Sequence, residues 1–186
     1  MKVKYSDLKN KRVFITGGGS GIGASIVEHF CEQGSEVYFV DIDLKETKKL
    51  LNKIKKNKFR TPTFIECNLL DINKLEKTIK NIIAKKGPIH ALINNAANDD
   101  RHTTDQVDEK YWENRMAINL KHYFFAAKAV VKSMKKMKAG SIVNLSSVSW
   151  MLGEGDKVVY ETAKSAVVGL TRSFAQEYGK YNIRTN

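Results

Sequence analysis

Residues 141–164 read SIVNLSSVSWMLGEGDKVVYETAK. Ser147 stands thirteen positions before Tyr160, and Lys164 lies about one helical turn after that tyrosine. A tyrosine is a poor base near neutrality, because its ordinary pKa is about 10. Four residues apart on a helix, two side chains share a face with their Cβ atoms about 5–6 Å apart. A lysine ammonium in that place favours the phenolate, and a second cation in the same desolvated cleft favours it further. A phenolate so held takes the proton from an alcohol as hydride leaves the carbon, while the serine hydroxyl keeps the reacting oxygen in line. Such chemistry needs a hydride acceptor beside Tyr160. Without one, the Tyr–Lys pair is an ordinary exposed helix pair.

A cradle for that acceptor is legible near the N-terminus. The run RVFIT (12–16) is strand-like, and TGGGSGIG (16–23) leads from it into a helical pattern. Glycines let the backbone bend sharply and approach a pyrophosphate, while the next helix offers unpaired amides and a positive dipole end. Two registers are open, since Gly19, Gly21 and Ala24 also satisfy a GxGxxA pattern. Asp41 ends the second strand-like run, eighteen residues after Gly23. A carboxylate there accepts hydrogen bonds from both hydroxyls of a dinucleotide ribose. A 2′-phosphate would meet its charge, and no arginine stands in the glycine turn. Repulsion and lost hydrogen bonds amount to about 2 kcal/mol or more, over tenfold discrimination. NAD is expected over NADP.

The elements that must position these groups alternate along the chain. Strand-like runs at 12–16, 36–41, 62–67, 90–95 and 141–146 are separated by helical patterns. Those patterns fall after the glycine turn to Gly34, over 44–56, from Asp71 to Gly87, over 108–138, and over 159–179. Short strands rich in β-branched residues, each followed by a helix, build a parallel sheet covered on both faces. The expected fold is α/β, a doubly wound parallel sheet of the Rossmann type in a single domain over 1–186.

Composition narrows the function. The chain has 186 residues, 42% of them hydrophobic, enough for one buried core. It has no apolar run of membrane-spanning length, and its first residues, MKVKYSDLKNKRV, lack a secretory signal's apolar stretch. Cys31 and Cys67 lack pair spacing and read as reduced core thiols of a cytoplasmic protein. The scattered His29, His90, His102 and His122 match no zinc spacing, so no metal is expected. The net charge is +12, with lysines crowded at 45–60 and 132–138. Leu44, Leu51 and Ile54 recur at helical spacing in the first run, which puts its lysines on a wet face. The second run closes a helix, where lysines suit the dipole. Neither run interleaves base-stacking aromatics, so nucleic-acid binding is not expected.

Taken together, TGGGSGIG, NNAA (94–97), Asn119, Ser147 and YETAK (160–164) resemble the short-chain dehydrogenase/reductase family. The resemblance implies catalytic roles for Asn119, Ser147, Tyr160 and Lys164, with Asn119 holding a water that links the lysine to solvent. It implies NAD contacts from Gly17, Ser20, Gly21, Ile22, Gly23, Asp41, Asn68, Leu69, Asn95, Ala96, Tyr160 and Lys164. Asn68 stands where many members have an aspartate facing the adenine. The loops NNAANDDRH (94–102) and SVSWMLG (147–153) are similar to bacterial NAD-dependent aldose 1-dehydrogenases of the D-xylose type. That similarity implies a sugar oxidised at C1 and substrate contacts from Asn98, Asp99, Arg101, Ser147, Trp150 and Tyr160. Trp150 either stacks on a sugar face or packs into the core, and Arg101 and Asp99 are candidates to pair with each other. A homo-oligomer formed through the two long helices is also implied.

By the same resemblance the chain stops at its sixth strand, so that strand and later pieces are expected to be missing, with the edge of the fifth strand left open. Two other functions stay open on the sequence: an inactive remnant that only binds NAD or only folds, and a dehydrogenase of another secondary alcohol.

Overall fold

The computed structural model describes residues 3–186, so Met1 and Lys2, the start of the polar N-terminal stretch, lie outside it. Strands and helices alternate as the pattern requires: β1 (Arg12–Thr16), α1 (Gly21–Glu32), β2 (Glu36–Asp41), α2 (Leu44–Lys56), β3 (Thr63–Glu66) and α3 (Ile72–Lys86). Then come β4 (Ala91–Asn94), α4 (Glu109–Met116), α5 (His122–Met137), β5 (Gly140–Asn144), α6 (Ser149–Leu152), α7 (Val158–Tyr178) and β6 (Ile183–Thr185). All six strands are parallel, in the order β3-β2-β1-β4-β5-β6. The winding reverses between β1 and β4, and a doubly wound sheet opens its ligand crevice at that point, outside the carboxyl ends of the strands.

Strand periodicity sorts the core into two layers. Val13 and Ile15 of β1 face α1 and α2, packing with Val27, Phe39 and Ile54. Phe14 faces the other way, into the layer under α3, α5 and α7 with Leu92, Val130, Ile142 and Phe174. Both faces of β1 are therefore dry, as a central parallel strand requires. Cys31 and Cys67 are free and buried, and burial pushes the Cys31 thiol up to about 12. Among the described residues no helix is long and apolar enough to cross a membrane.

Three expectations change. The buried stripe of α2 is Thr47, Leu50 and Ile54 with Leu51 partly buried beside it, so Ile54 and Leu51 face the core as expected and Leu44, 53% exposed, does not. The lysines of α2 are on the wet side all the same. The helix expected over 108–138 is divided by a π-helical turn at Ala117–Lys121, which leaves α4 before it and α5 after it. A π-turn inserts one residue into the helical register and often marks a functional position. Finally, the sixth strand is present and the edge of β5 is closed. Gly140, Ser141 and Ile142 pair with Ile183, Arg184 and Thr185. The flanking amides of Asn144 and Asn186 donate to Asn186 O and Ile142 O at 2.8 and 2.9 Å. Three residues suffice because the outer amides and carbonyls of β5 otherwise lack sheet partners.

Candidate active site

The glycine turn takes its shape from contacts with the fourth strand. The Thr16 hydroxyl accepts the amides of Asn95 and Ala96 at 3.0 and 3.2 Å. The Asn95 side chain in turn donates to the carbonyls of Thr16 and Gly17 at 3.1 and 2.9 Å. Gly17 has φ +65°, and a Cβ there would stand 2.8 Å from Ala96. A Cβ on Gly23 would fall 1.8 Å from the Gly17 carbonyl oxygen. A Cβ on Gly19 would meet the Thr47 hydroxyl at 2.4 Å, so the turn has no room for a side chain at Gly17, Gly19 or Gly23. Ser20 precedes α1 without a side-chain cap, so the first amides of that helix keep their capacity to bind an anion.

Asp41 is tied back to the same turn. Its Oδ2 accepts the Gly19 amide at 2.7 Å, and its Oδ1 accepts the amides of Ile42 and Asp43 at 2.7 and 2.9 Å. The carboxylate is fixed at the cleft edge, with the remaining acceptor capacity mainly on Oδ2. Across the cleft, the Asn68 side chain accepts the Leu70 amide at 3.0 Å, and Leu69 is buried.

At the end of β5 the paired serines separate their tasks. Ser146 Oγ donates to the Lys164 carbonyl at 2.7 Å, joining the strand end to α7. Ser147 Oγ shares a hydrogen with Ser149 Oγ at 2.8 Å and accepts the Ser149 amide at 3.2 Å. Lys164 is buried, and its Nζ donates to the Leu145 carbonyl at 2.7 Å and to the Tyr123 hydroxyl at 2.8 Å. The same Nζ sits 5.6 Å from the centre of the Tyr160 ring. Burial lowers the Lys164 pKa from a lysine's usual 10.5 to about 8, so the ammonium persists at neutral pH.

Tyr123 and His122 flank this lysine, and no motif in the sequence pointed to either. Burial pushes the Tyr123 hydroxyl far above the usual phenol range. The His122 ring contacts the Ala96 carbonyl at 3.1 Å, and burial drives its pKa down to about 4. Lys164 therefore has two neutral neighbours and no counter-ion among them.

Asn119 lies on the π-turn, fully buried. Its side chain holds the backbone of Asn98 through both amide and carbonyl. Of the two alternatives for Arg101, pairing with Asp99 is not the one seen: Arg101 pairs with Asp156, while Arg115 pairs with Asp100. Trp150 is 37% exposed on α6, which removes the alternative of a core-packed loop residue.

One cleft of about 540 Å³ is lined by every residue expected to hold the dinucleotide, from Gly17 through Asp41 and Ala96 to Tyr160 and Lys164. Asn98 and Asp99 also line it, as do Ala97 of the NNAA motif and Ile42, Ile118 and Leu145, to which no sequence motif pointed. Ser147, Arg101 and Trp150 stand outside that lining, and Asn119 acts behind it. A glycine cradle, an uncapped helix N-terminus and a fixed carboxylate fit a dinucleotide.

Comparisons with known proteins agree with this geometry. Residues 11–186 match the family described as short chain dehydrogenase. A probable galactose dehydrogenase of Rhizobium meliloti is 39% identical over 183 residues, spanning 98% of this chain and 72% of the relative. The D-xylose 1-dehydrogenase of Caulobacter vibrioides is 42% identical over 180 residues, spanning 97% and 71%. The structure of Thermoplasma acidophilum aldohexose dehydrogenase in ligand-free form superposes with TM-score 0.85 at 32% identity, covering 98% of this chain and 66% of that one.

Proposed function

The chain belongs to the short-chain dehydrogenase family and is an oxidoreductase, and from that premise we propose that it oxidises C1 of an aldopentose such as D-xylose with NAD. The observation that carries this reading is the buried Lys164 ammonium beside the Tyr160 ring, in the same cleft as the glycine turn and Asp41. Similarity to a D-xylose and a galactose dehydrogenase supports a sugar substrate.

In this reading the α1 amides and the glycine turn hold the pyrophosphate, Asp41 the adenosine ribose, and Asn68 with Leu69 the adenine. Asn95 and Ala96 line the middle of the cleft, and Tyr160 with Lys164 the nicotinamide ribose. Negative charge on Asp41 favours NAD, since a 2′-phosphate would face it. When bound, the oxidised nicotinamide supplies the carbon that accepts hydride. The chain's own groups do the rest. Ser147 holds the C1 oxygen, and Tyr160 as phenolate removes the hydroxyl proton. The C1–H bond breaks with its electron pair, a C1=O bond forms, and a lactone leaves. Lys164 places its positive charge beside the Tyr160 ring in a desolvated site. Asn98 and Asp99 offer polar contacts to the remaining sugar hydroxyls.

The proposal includes one NAD-binding domain spanning the chain, acting in the cytoplasm, where the two unpaired buried thiols stay reduced. It includes a homo-oligomer built on α5 and α7, whose contact would cover Phe124, 43% exposed.

The test is NADH formation with D-xylose, L-arabinose, D-galactose and a simple secondary alcohol, for wild type, Tyr160→Phe and Ser147→Ala. Sugar-dependent NADH that both variants reduce by about a hundredfold or more supports the reading. Turnover of the simple alcohol alone replaces the substrate, and full activity of Tyr160→Phe replaces the base.

A further inference from the structure

The helix carrying Tyr160 and Lys164 starts without a cap of its own. Asp43, Asp71 and Asp108 cap α2, α3 and α4 with their side chains. Lys157 occupies that place on α7 and makes no capping bond. The first amides of a helix nonetheless need acceptors from outside it. One of them, Val159 N–H, donates at 3.3 Å to Nε2 of His102, 57 residues away.

Accepting at Nε2 places the ring proton on Nδ1. There the Asp100 carbonyl lies at 3.0 Å and the Tyr111 hydroxyl at 2.9 Å. The His102 backbone amide donates to the Asp156 carbonyl at 2.7 Å. The ring is buried, 6% exposed, and each of its nitrogens has a partner. Those partners come from the 98–102 loop, from α4 and from the first turn of α7. Two ion pairs bracket the junction, Arg101 with Asp156 and Arg115 with Asp100.

We propose that His102 is a positioning residue for Tyr160: its imidazole, protonated on Nδ1, replaces the missing cap of α7. Val159 immediately precedes Tyr160, so holding its amide holds the turn that aims the phenol. The same ring fixes the distance from Tyr160 to the loop bearing Asn98 and Asp99. The kinetic part rests on the reading of Tyr160 as the base; the structural part does not.

Two measurements test it. In wild-type protein labelled with nitrogen-15, a through-hydrogen-bond coupling between Val159 N and His102 Nε2 is expected, with Nε2 unprotonated. A proton on Nε2 and no coupling overturn the proposal without recourse to any variant or substrate. In the assay, His102→Ala is expected to lower kcat about tenfold or more while NADH affinity stays within about twofold of wild type. His102→Gln, whose carboxamide oxygen reaches near the Nε2 position, is expected to recover most of that loss. Equal losses in the two variants, or an unchanged kcat in His102→Ala, overturn it. Should His102→Ala not fold, the coupling and the Gln variant decide. If instead Tyr160→Phe keeps full activity while the coupling is seen, the base assignment has failed and the cap stands.

Discussion

Asn119 grips Asn98 through both ends of one amide: its Oδ1 accepts the Asn98 N–H at 2.8 Å, and its Nδ2 donates to the Asn98 carbonyl at 2.9 Å. The grip lies at the π-turn between α4 and α5, so a helix irregularity and a cleft loop are joined by one side chain. The resemblance implied a water-holding role for Asn119. What the geometry adds is that this amide sets the path of the loop entering the cleft.

Replacing Asn119 tests the grip. Asn119→Ala leaves a buried amide and carbonyl unpaired and should cost about 2–3 kcal/mol in urea unfolding. Asn119→Asp should cost more, because a carboxylate keeps the first bond but turns an oxygen toward the Asn98 carbonyl. An Asp variant as stable as wild type would show that the loop holds itself.

Lys164 should be a source of instability kept for function. Its folded pKa of about 8 lies below the usual 10.5. Below pH 8 both states carry the proton, and the native state bears the full desolvation penalty. Between about 8 and 10.5 the unfolded chain keeps a proton that the native chain has lost, so stability rises with pH. Measured against Lys164→Met, wild type should gain up to about 3 kcal/mol across that window. A flat difference in unfolding free energy would contradict this. The variant should be inactive at every pH.

Charge at Asp41 should set the cofactor. Asp41→Ser keeps an oxygen for the Ile42 and Asp43 amides and removes the charge. NADPH binding relative to NADH should improve by more than about tenfold in a fluorescence titration. An unchanged ratio would assign the discrimination elsewhere.

Gly23→Ala should disable the cradle. The new Cβ would meet the Gly17 carbonyl oxygen at 1.8 Å, so backbone must move. A loss of about 1–3 kcal/mol and of measurable NADH binding is expected. Gly169→Ala, on the open side of α7, is the control and should be neutral or stabilising by up to about 1 kcal/mol. Similar behaviour of the two variants in calorimetry would remove the argument for the close approach.

Residue patterns alone determined the βα alternation, the glycine turn, Asp41 at a strand end and the Tyr160–Lys164 pair. Each is a local feature, in which side chains a few positions apart share a strand or helix face, so spacing reports it. Only the folded chain decided that Ile183–Thr185 becomes a strand, since that depends on free amides of β5 far back in the chain. It also decided that Arg101 meets Asp156 rather than Asp99, that Lys164 has Tyr123 for a neighbour, and that α7 is capped by His102. Partners brought together by packing across forty or more residues leave no periodic trace, and a short loop's direction is set by whatever it packs against.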